Sequence, residues 1–125
     1  MAKLKLCVFI SGRGSNLQSL IDACTDKDYP AQIVLVISNV DGVLGLERAK
    51  AAGIQTLVFE RKNYKNSKSL DAAMNEAIKP LDVNLICLAG YMRILSDKFV
   101  NQWRDRMINI HPSLLPAFKV LNVQQ

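Results

Sequence analysis

The chain predicts an α/β fold with a doubly wound, Rossmann-like parallel sheet, on two observations. Apolar runs of strand length alternate with stretches of helical period along the chain, and no repeat, low-complexity tract or linker interrupts the order. The apolar runs are also near-continuous, as in strands covered by helices on both faces. Right-handed crossovers leave few topologies for such an alternation, and a strand order of 3-2-1-4-5 is expected. In that order a crevice opens between the carboxyl ends of the first and fourth strands, where the winding reverses.

Leu4 to Ile10 is apolar at most positions and reads as the first strand. Asn16 to Cys24 reads as a helix, with Leu17, Leu20 and Ile21 on one face. Ile33 to Ile37 is the second strand, followed by a helix over Leu44 to Ala52 that Gly53 closes. Thr56 to Phe59 makes a short third strand and Ser69 to Lys79 the next helix. Leu85 to Ala89 gives the fourth strand, Asp97 to Arg104 a helix and Met107 to Ile110 the fifth strand. Pro112 and Pro116 then bracket a segment that continues neither as a regular helix nor as a central strand, so the chain leaves the sheet in a fixed loop after His111.

Composition narrows the class. At 125 residues, half of them hydrophobic, the chain is expected to be a single α/β domain over 1–125 with a real core. The apolar start is too short for a membrane span and runs straight into a glycine-rich loop without a small-residue cleavage site, which predicts a cytoplasmic protein without a membrane partner. Cys7, Cys24 and Cys87 are odd in number and lack metal-ligand spacing, so free thiols and no metal are expected. The net charge of +5 is spread along the chain apart from a looser group at Arg61, Lys62, Lys65 and Lys68. Without a basic stripe and interleaved aromatics, an anionic small substrate is favoured over nucleic acid.

Three loops should meet at the crevice. In Ser11-Gly12-Arg13-Gly14-Ser15-Asn16 the glycines allow a tight turn, and free amides at the helix start can hold a phosphate with help from Ser15 or Asn16; a helix cap without ligand is the plainer alternative. The loop lacks both the Gly-Lys-Ser/Thr of a Walker motif and the third glycine of the dinucleotide fingerprint, which leaves Asp41 a weak match to a ribose-binding acid. In Ala89-Gly90-Tyr91-Met92-Arg93-Ile94-Leu95-Ser96, apolar side chains stand where loops usually carry polar ones. They fit either a wall for a flat aromatic ligand or a hydrophobic staple before a helix capped by Ser96. The third loop holds Asn109 and the sole histidine, His111, two residues apart and so on one side of an extended segment. An amide that stabilises a developing oxyanion and an imidazole that passes a proton can share that wall; a structural histidine at a strand end is the alternative.

The segments Ser-Gly-Arg-Gly-Ser-Asn-Leu-Gln-Ser-Leu-Ile-Asp-Ala, Ala-Gly-Tyr-Met-Arg-Ile-Leu-Ser and Ile-Asn-Ile-His-Pro-Ser-Leu-Leu-Pro together resemble the phosphoribosylglycinamide formyltransferase family, across almost the whole chain. The resemblance implies transfer of a formyl group from the co-substrate 10-formyltetrahydrofolate to the amine of glycinamide ribonucleotide in purine synthesis. It implies that Gly14, Ser15 and Asn16 hold the ribonucleotide phosphate, and that Met92, Arg93, Ile94 and Leu95 line the folate pocket together with Asn109. Asn109 would hydrogen-bond the formyl oxygen and His111 would be the proton donor. A family arginine that meets folate falls near Asn66-Ser67-Lys68, at Ser67 in strict register or Lys68 after a one-residue slip, and its role is not carried over; lysine would keep the charge without the bidentate fork.

The resemblance further implies, after Lys119, a glycine, more strands, a catalytic aspartate and a final helix. Here Val120 stands at the glycine position and the sequence stops at Gln125. The expectation is an amino-terminal portion of the family domain that lacks the anion stabilising the imidazolium and is an incomplete catalyst alone, with an uncovered sheet edge prone to self-association. Two alternatives stand beside it: a related formyltetrahydrofolate-using enzyme, hydrolase or transferase, and a non-catalytic nucleotide-binding module.

Overall fold

A computed structural model describes residues 3–110. In chain order its main elements are β1 (Leu4–Ile10), α1 (Ser15–Cys24), β2 (Ala31–Ser38), α2 (Leu44–Ala51), β3 (Thr56–Val58), α3 (Ser67–Ile78), β4 (Leu85–Leu88), α4 (Asp97–Gln102) and β5 (Met107–Asn109). The sheet runs β3-β2-β1-β4-β5 with every pairing parallel, which is the expected doubly wound order.

β1 is the hub because it is apolar on both faces. Leu6, Val8 and Ile10 point into one core with Leu17, Leu20 and Ile21 of α1 and Leu46 and Ala49 of α2. Cys7 and Phe9 point the other way, into a core with Leu70, Met74 and Ile78 of α3 and Phe99 and Trp103 at α4. Phe9 sits among aromatic rings there, edge-on to Tyr91 at 5.1 Å and tilted against Phe99 at 5.9 Å.

β2 reaches the same two-sided burial through an irregularity that the apolar run conceals. Leu6 pairs with Ile33 but Cys7 pairs with Leu35, so Val34 is an extra residue in β2. Ala31 and Ile33 belong to the first core, Val34 and Leu35 to the second, and Val36 to the first again. The bulge resets the alternation, without which Leu35, Val36 and Ile37 would each meet the opposite face.

Local chemistry sets the helix ends. Asn66 caps α3 through a reciprocal box: its Oδ1 accepts from the Ser69 amide at 2.9 Å and its own amide donates to Ser69 Oγ at 3.2 Å. Ser96 caps α4 by accepting from the Phe99 amide at 3.3 Å. α4 ends at Gln102, two residues short of the expected Arg104, and Asp105 then turns the chain with φ of 67°. Trp103 Nε1 donates to Asn75 Oδ1 at 3.0 Å, holding that turn against α3.

β2 starts at Ala31, two residues before the expected Ile33. β3, β4 and β5 each end one residue early, yet the ladder bond at the next residue persists in all three: Phe59, Ala89 and Ile110 donate to Ser38, Phe9 and Leu88 at 2.9 Å each.

Cys7, Cys24 and Cys87 are free, Cys7 and Cys87 being buried on opposite faces of neighbouring strands. Burial pushes the Cys24 thiol up to about 11 and that of Cys87 up to about 12, with Cys7 also raised well above its ordinary value. Alkylation of the native protein at about pH 8 should therefore leave Cys7 and Cys87 unlabelled and modify Cys24 slowly, with all three labelled in urea, read by mass spectrometry. Deleting Val34 should leave a cooperative urea transition, because every remaining β2 side chain keeps its face. Inserting a second residue beside Val34 should weaken that transition, because the two extra residues would send Leu35, Val36 and Ile37 to the opposite faces.

Candidate functional site

The carboxyl ends of β1 and β4 carry two loops side by side. The loop after β1 turns into α1 through Gly14, whose φ of 76° is left-handed. A Cβ on Gly14 would lie 2.6 Å from the Cα of Gly45 in α2, and one on Gly45 would lie 2.9 Å from the Gly12 carbonyl. The two backbones thus pack directly, with the Gly45 amide donating to the Gly12 carbonyl at 3.0 Å. Arg48, one turn further along α2, donates from Nε to the Arg13 carbonyl at 2.8 Å.

These contacts use the loop's carbonyls and leave its amides. The Gly14 carbonyl takes the Gln18 amide at 2.7 Å, and no side chain caps α1. Among the described residues, the amides of residues 12–17 have no acceptor. Uncapped donors at the positive end of a helix favour an anion. Ser15 is exposed and Asn16 half-buried. The Asn16 side-chain amide is partly committed, donating from Nδ2 to the Ile110 carbonyl at 3.3 Å.

The second loop is fixed by charge. Arg93 turns inward and pairs with Asp71 of α3 at 2.6 Å, with side-chain exposures of 10% and 3%. Its guanidinium also reaches Tyr91 Oη at 3.3 Å and the Ser67 carbonyl at 3.4 Å, while the other oxygen of Asp71 accepts from the Ser96 amide at 2.7 Å. Leu95 packs against the core that holds Phe99 and Trp103, whereas Met92 and Ile94 stand 82% and 90% exposed. The amides of Arg93, Ile94 and Leu95 have no acceptor among the described residues, so the loop offers bare backbone donors between two exposed apolar side chains.

Asn109 ends β5 in register with Leu88 of β4 and is exposed. Among the described residues its side chain makes no hydrogen bond. By strand parity it lies on the α3/α4 side of the sheet, as Met107 does, where the second loop also packs. His111 lies outside the described residues. Asp41 accepts from its neighbour's amide, that of Gly42, at 2.8 Å and remains exposed in the turn after β2. Ser67 opens α3 with its carbonyl facing Arg93, and Lys68 is exposed. The described residues contain no cluster of His, Cys, Asp or Glu able to hold a metal ion and no helix long and apolar enough to cross a membrane.

Asp71, Gly45 and Ser11 are the structural participants that sequence reasoning missed. Asp71 has a faint signal, an acid beside the apolar Leu70-Met74-Ile78 row of α3; Gly45 inside a helix is another, since such a glycine costs stability unless something approaches closely.

A sheet of this order, with its winding reversal between β1 and β4, defines a doubly wound α/β protein. The chain belongs to the formyl transferase family, whose pattern it matches over residues 4–125. It is 50% identical over 121 residues to the phosphoribosylglycinamide formyltransferase of Haemophilus influenzae, an alignment covering 97% of this chain and 57% of that one. It is 48% identical to the human trifunctional purine biosynthetic protein adenosine-3 over 98% of this chain and 12% of that protein. Its fold matches the crystal structure of phosphoribosylglycinamide formyltransferase from Brucella melitensis with a TM-score of 0.85 and 45% identity, over 93% of this chain and 60% of that one.

Asp71→Asn should cost roughly 3–5 kcal/mol in urea denaturation, because it leaves the Arg93 guanidinium buried and uncompensated. Replacing both partners by apolar residues should cost less than that single change.

Proposed function

We propose that this protein transfers the formyl group of 10-formyltetrahydrofolate to the amine of glycinamide ribonucleotide, in the cytoplasm, as a step of purine biosynthesis. The observation that carries the reading is the pair of donor-bare loops set side by side, residues 12–17 and 93–95, in a chain so similar to named enzymes of that activity.

In this reading the amides of Gly14, Ser15 and Asn16 bind the ribonucleotide phosphate at the uncapped start of α1. Met92, Arg93, Ile94 and Leu95 form the folate wall: the backbone donors of 93–95 take the hydrogen-bonding edge of the heterocycle, and Met92 and Ile94 supply apolar contact. The Arg93 side chain acts by holding the loop, since its guanidinium is committed to Asp71.

The substrate amine attacks the formyl carbon, and the carbonyl oxygen takes up negative charge that the Asn109 amide stabilises by hydrogen bonding. Collapse breaks the bond to the folate nitrogen, a poor leaving group unless protonated. His111 donates that proton while the attacking nitrogen releases one, so the protons balance. Nothing in this scheme calls for a metal.

Purified protein should consume 10-formyltetrahydrofolate only when glycinamide ribonucleotide is present. His111→Ala should lower that rate by about 10²–10⁴-fold, the range for loss of a general acid. Consumption independent of the ribonucleotide would identify a hydrolase instead. Ribonucleotide binding without any turnover would mark either the incomplete catalyst expected from the sequence or a nucleotide-binding module, and tetrahydrofolate binding separates the two.

A further inference from the structure

Ser11 stands at the end of β1, between the two loops, and touches both sides of the divide. Its Oγ donates to Asn39 Oδ1, just past β2, at 2.5 Å and accepts from the Met92 amide at 2.8 Å. A serine hydroxyl has one proton and two lone pairs. With the proton given to Asn39, a lone pair is directed at Met92, so Asn39 fixes the polarity of the bridge. Met92 is otherwise the exposed tip of its loop. The bond from Ser11 is the one hydrogen bond that its amide makes among the described residues, and it leads directly to the bare amides of 93–95.

The other anchors of the second loop act at different points. Asp71 holds Arg93 and the Ser96 amide from the side of α3, and Tyr91 packs on Phe9 beneath. None of them refers the loop to the one after β1. Ser11 does, because the next residues, 12–17, carry the other set of bare amides.

We propose that Ser11 is a positioning residue that sets the spacing between the phosphate-facing and folate-facing amides, with Asn39 orienting its hydroxyl. This rests on the functional reading above for what the loops bind, but the bridge itself does not.

The test compares Ser11→Ala, Ser11→Thr and Asn39→Leu with the parent in the full-length protein. Three readouts are used: hydrogen exchange at the Met92 amide, equilibrium binding of tetrahydrofolate, and equilibrium binding of glycinamide ribonucleotide. Ser11→Ala should expose the Met92 amide to exchange and weaken tetrahydrofolate binding by about tenfold, the scale of one lost hydrogen bond, while ribonucleotide affinity stays within about twofold. Asn39→Leu should shift the same readouts in the same direction by a smaller factor. Ser11→Thr, which keeps the hydroxyl, should restore both exchange protection and folate affinity.

Equal weakening of both ligands in Ser11→Ala, or failure of threonine to rescue, would overturn the proposal in favour of a general structural role. Should the parent protein bind no tetrahydrofolate, the functional reading fails, and exchange at Met92 still decides the bridge: unchanged protection in Ser11→Ala overturns it.

Discussion

The two-sided burial of β1 is the constraint on which the rest of this molecule depends. A strand paired on both edges and covered on both faces has no freedom of register, since a slip by one residue would exchange Leu6, Val8 and Ile10 with Cys7 and Phe9. α1 and α2 are thereby placed on one face, α3 and α4 on the other. The end of the strand, Ile10-Ser11, is fixed as firmly as its middle, and the loop that turns into α1 inherits that precision. The Val34 bulge belongs to the same constraint: β2 bends its own ladder to match the faces that β1 presents.

Around that strand the site is held by contacts that leave donors unused. Gly14 against Gly45 brings backbone to backbone, and Arg48 ties down a carbonyl of the first loop. Arg93 and Asp71 tie down the second from inside the protein. In each case the amides of residues 12–17 and 93–95 stay without an acceptor among the described residues. Such preorganisation fits a ligand that brings its own acceptors, because ordering the loops is settled before binding.

The topology and the meeting of the loops were legible in the sequence because they follow from rules of pattern. Alternating apolar and helical stretches, with right-handed crossovers, bring residues 11–16, 89–96 and 109 to one end of the sheet. Other features were hidden because their signals resemble ordinary ones. Ile33 to Ile37 is apolar at every position, so a bulge leaves no mark in it. Ala31 carries little strand signal, and the early start of β2 went unseen. Asp71 reads as one more acid on a helix surface until Arg93 is found beneath the loop, and Ser11 reads as part of a turn until Asn39 and Met92 are found on either side. In the second loop the sequence left wall and staple as rivals. The structure packs Leu95 against the core and leaves Met92 and Ile94 exposed.

The bond from Asn16 to the Ile110 carbonyl joins residues 94 positions apart, from the start of the first helix to the end of the last described strand. A contact of that span is costly to close early in folding and forms only when β1, β4 and β5 are already aligned. The start of α1 is therefore completed by a strand distant in sequence rather than by its own neighbourhood. Conversely, a ligand that binds this arrangement and not the unfolded chain stabilises the placement of β5 by mass action. Binding at that end of the sheet and the folding of the chain would then be linked through a single side-chain amide.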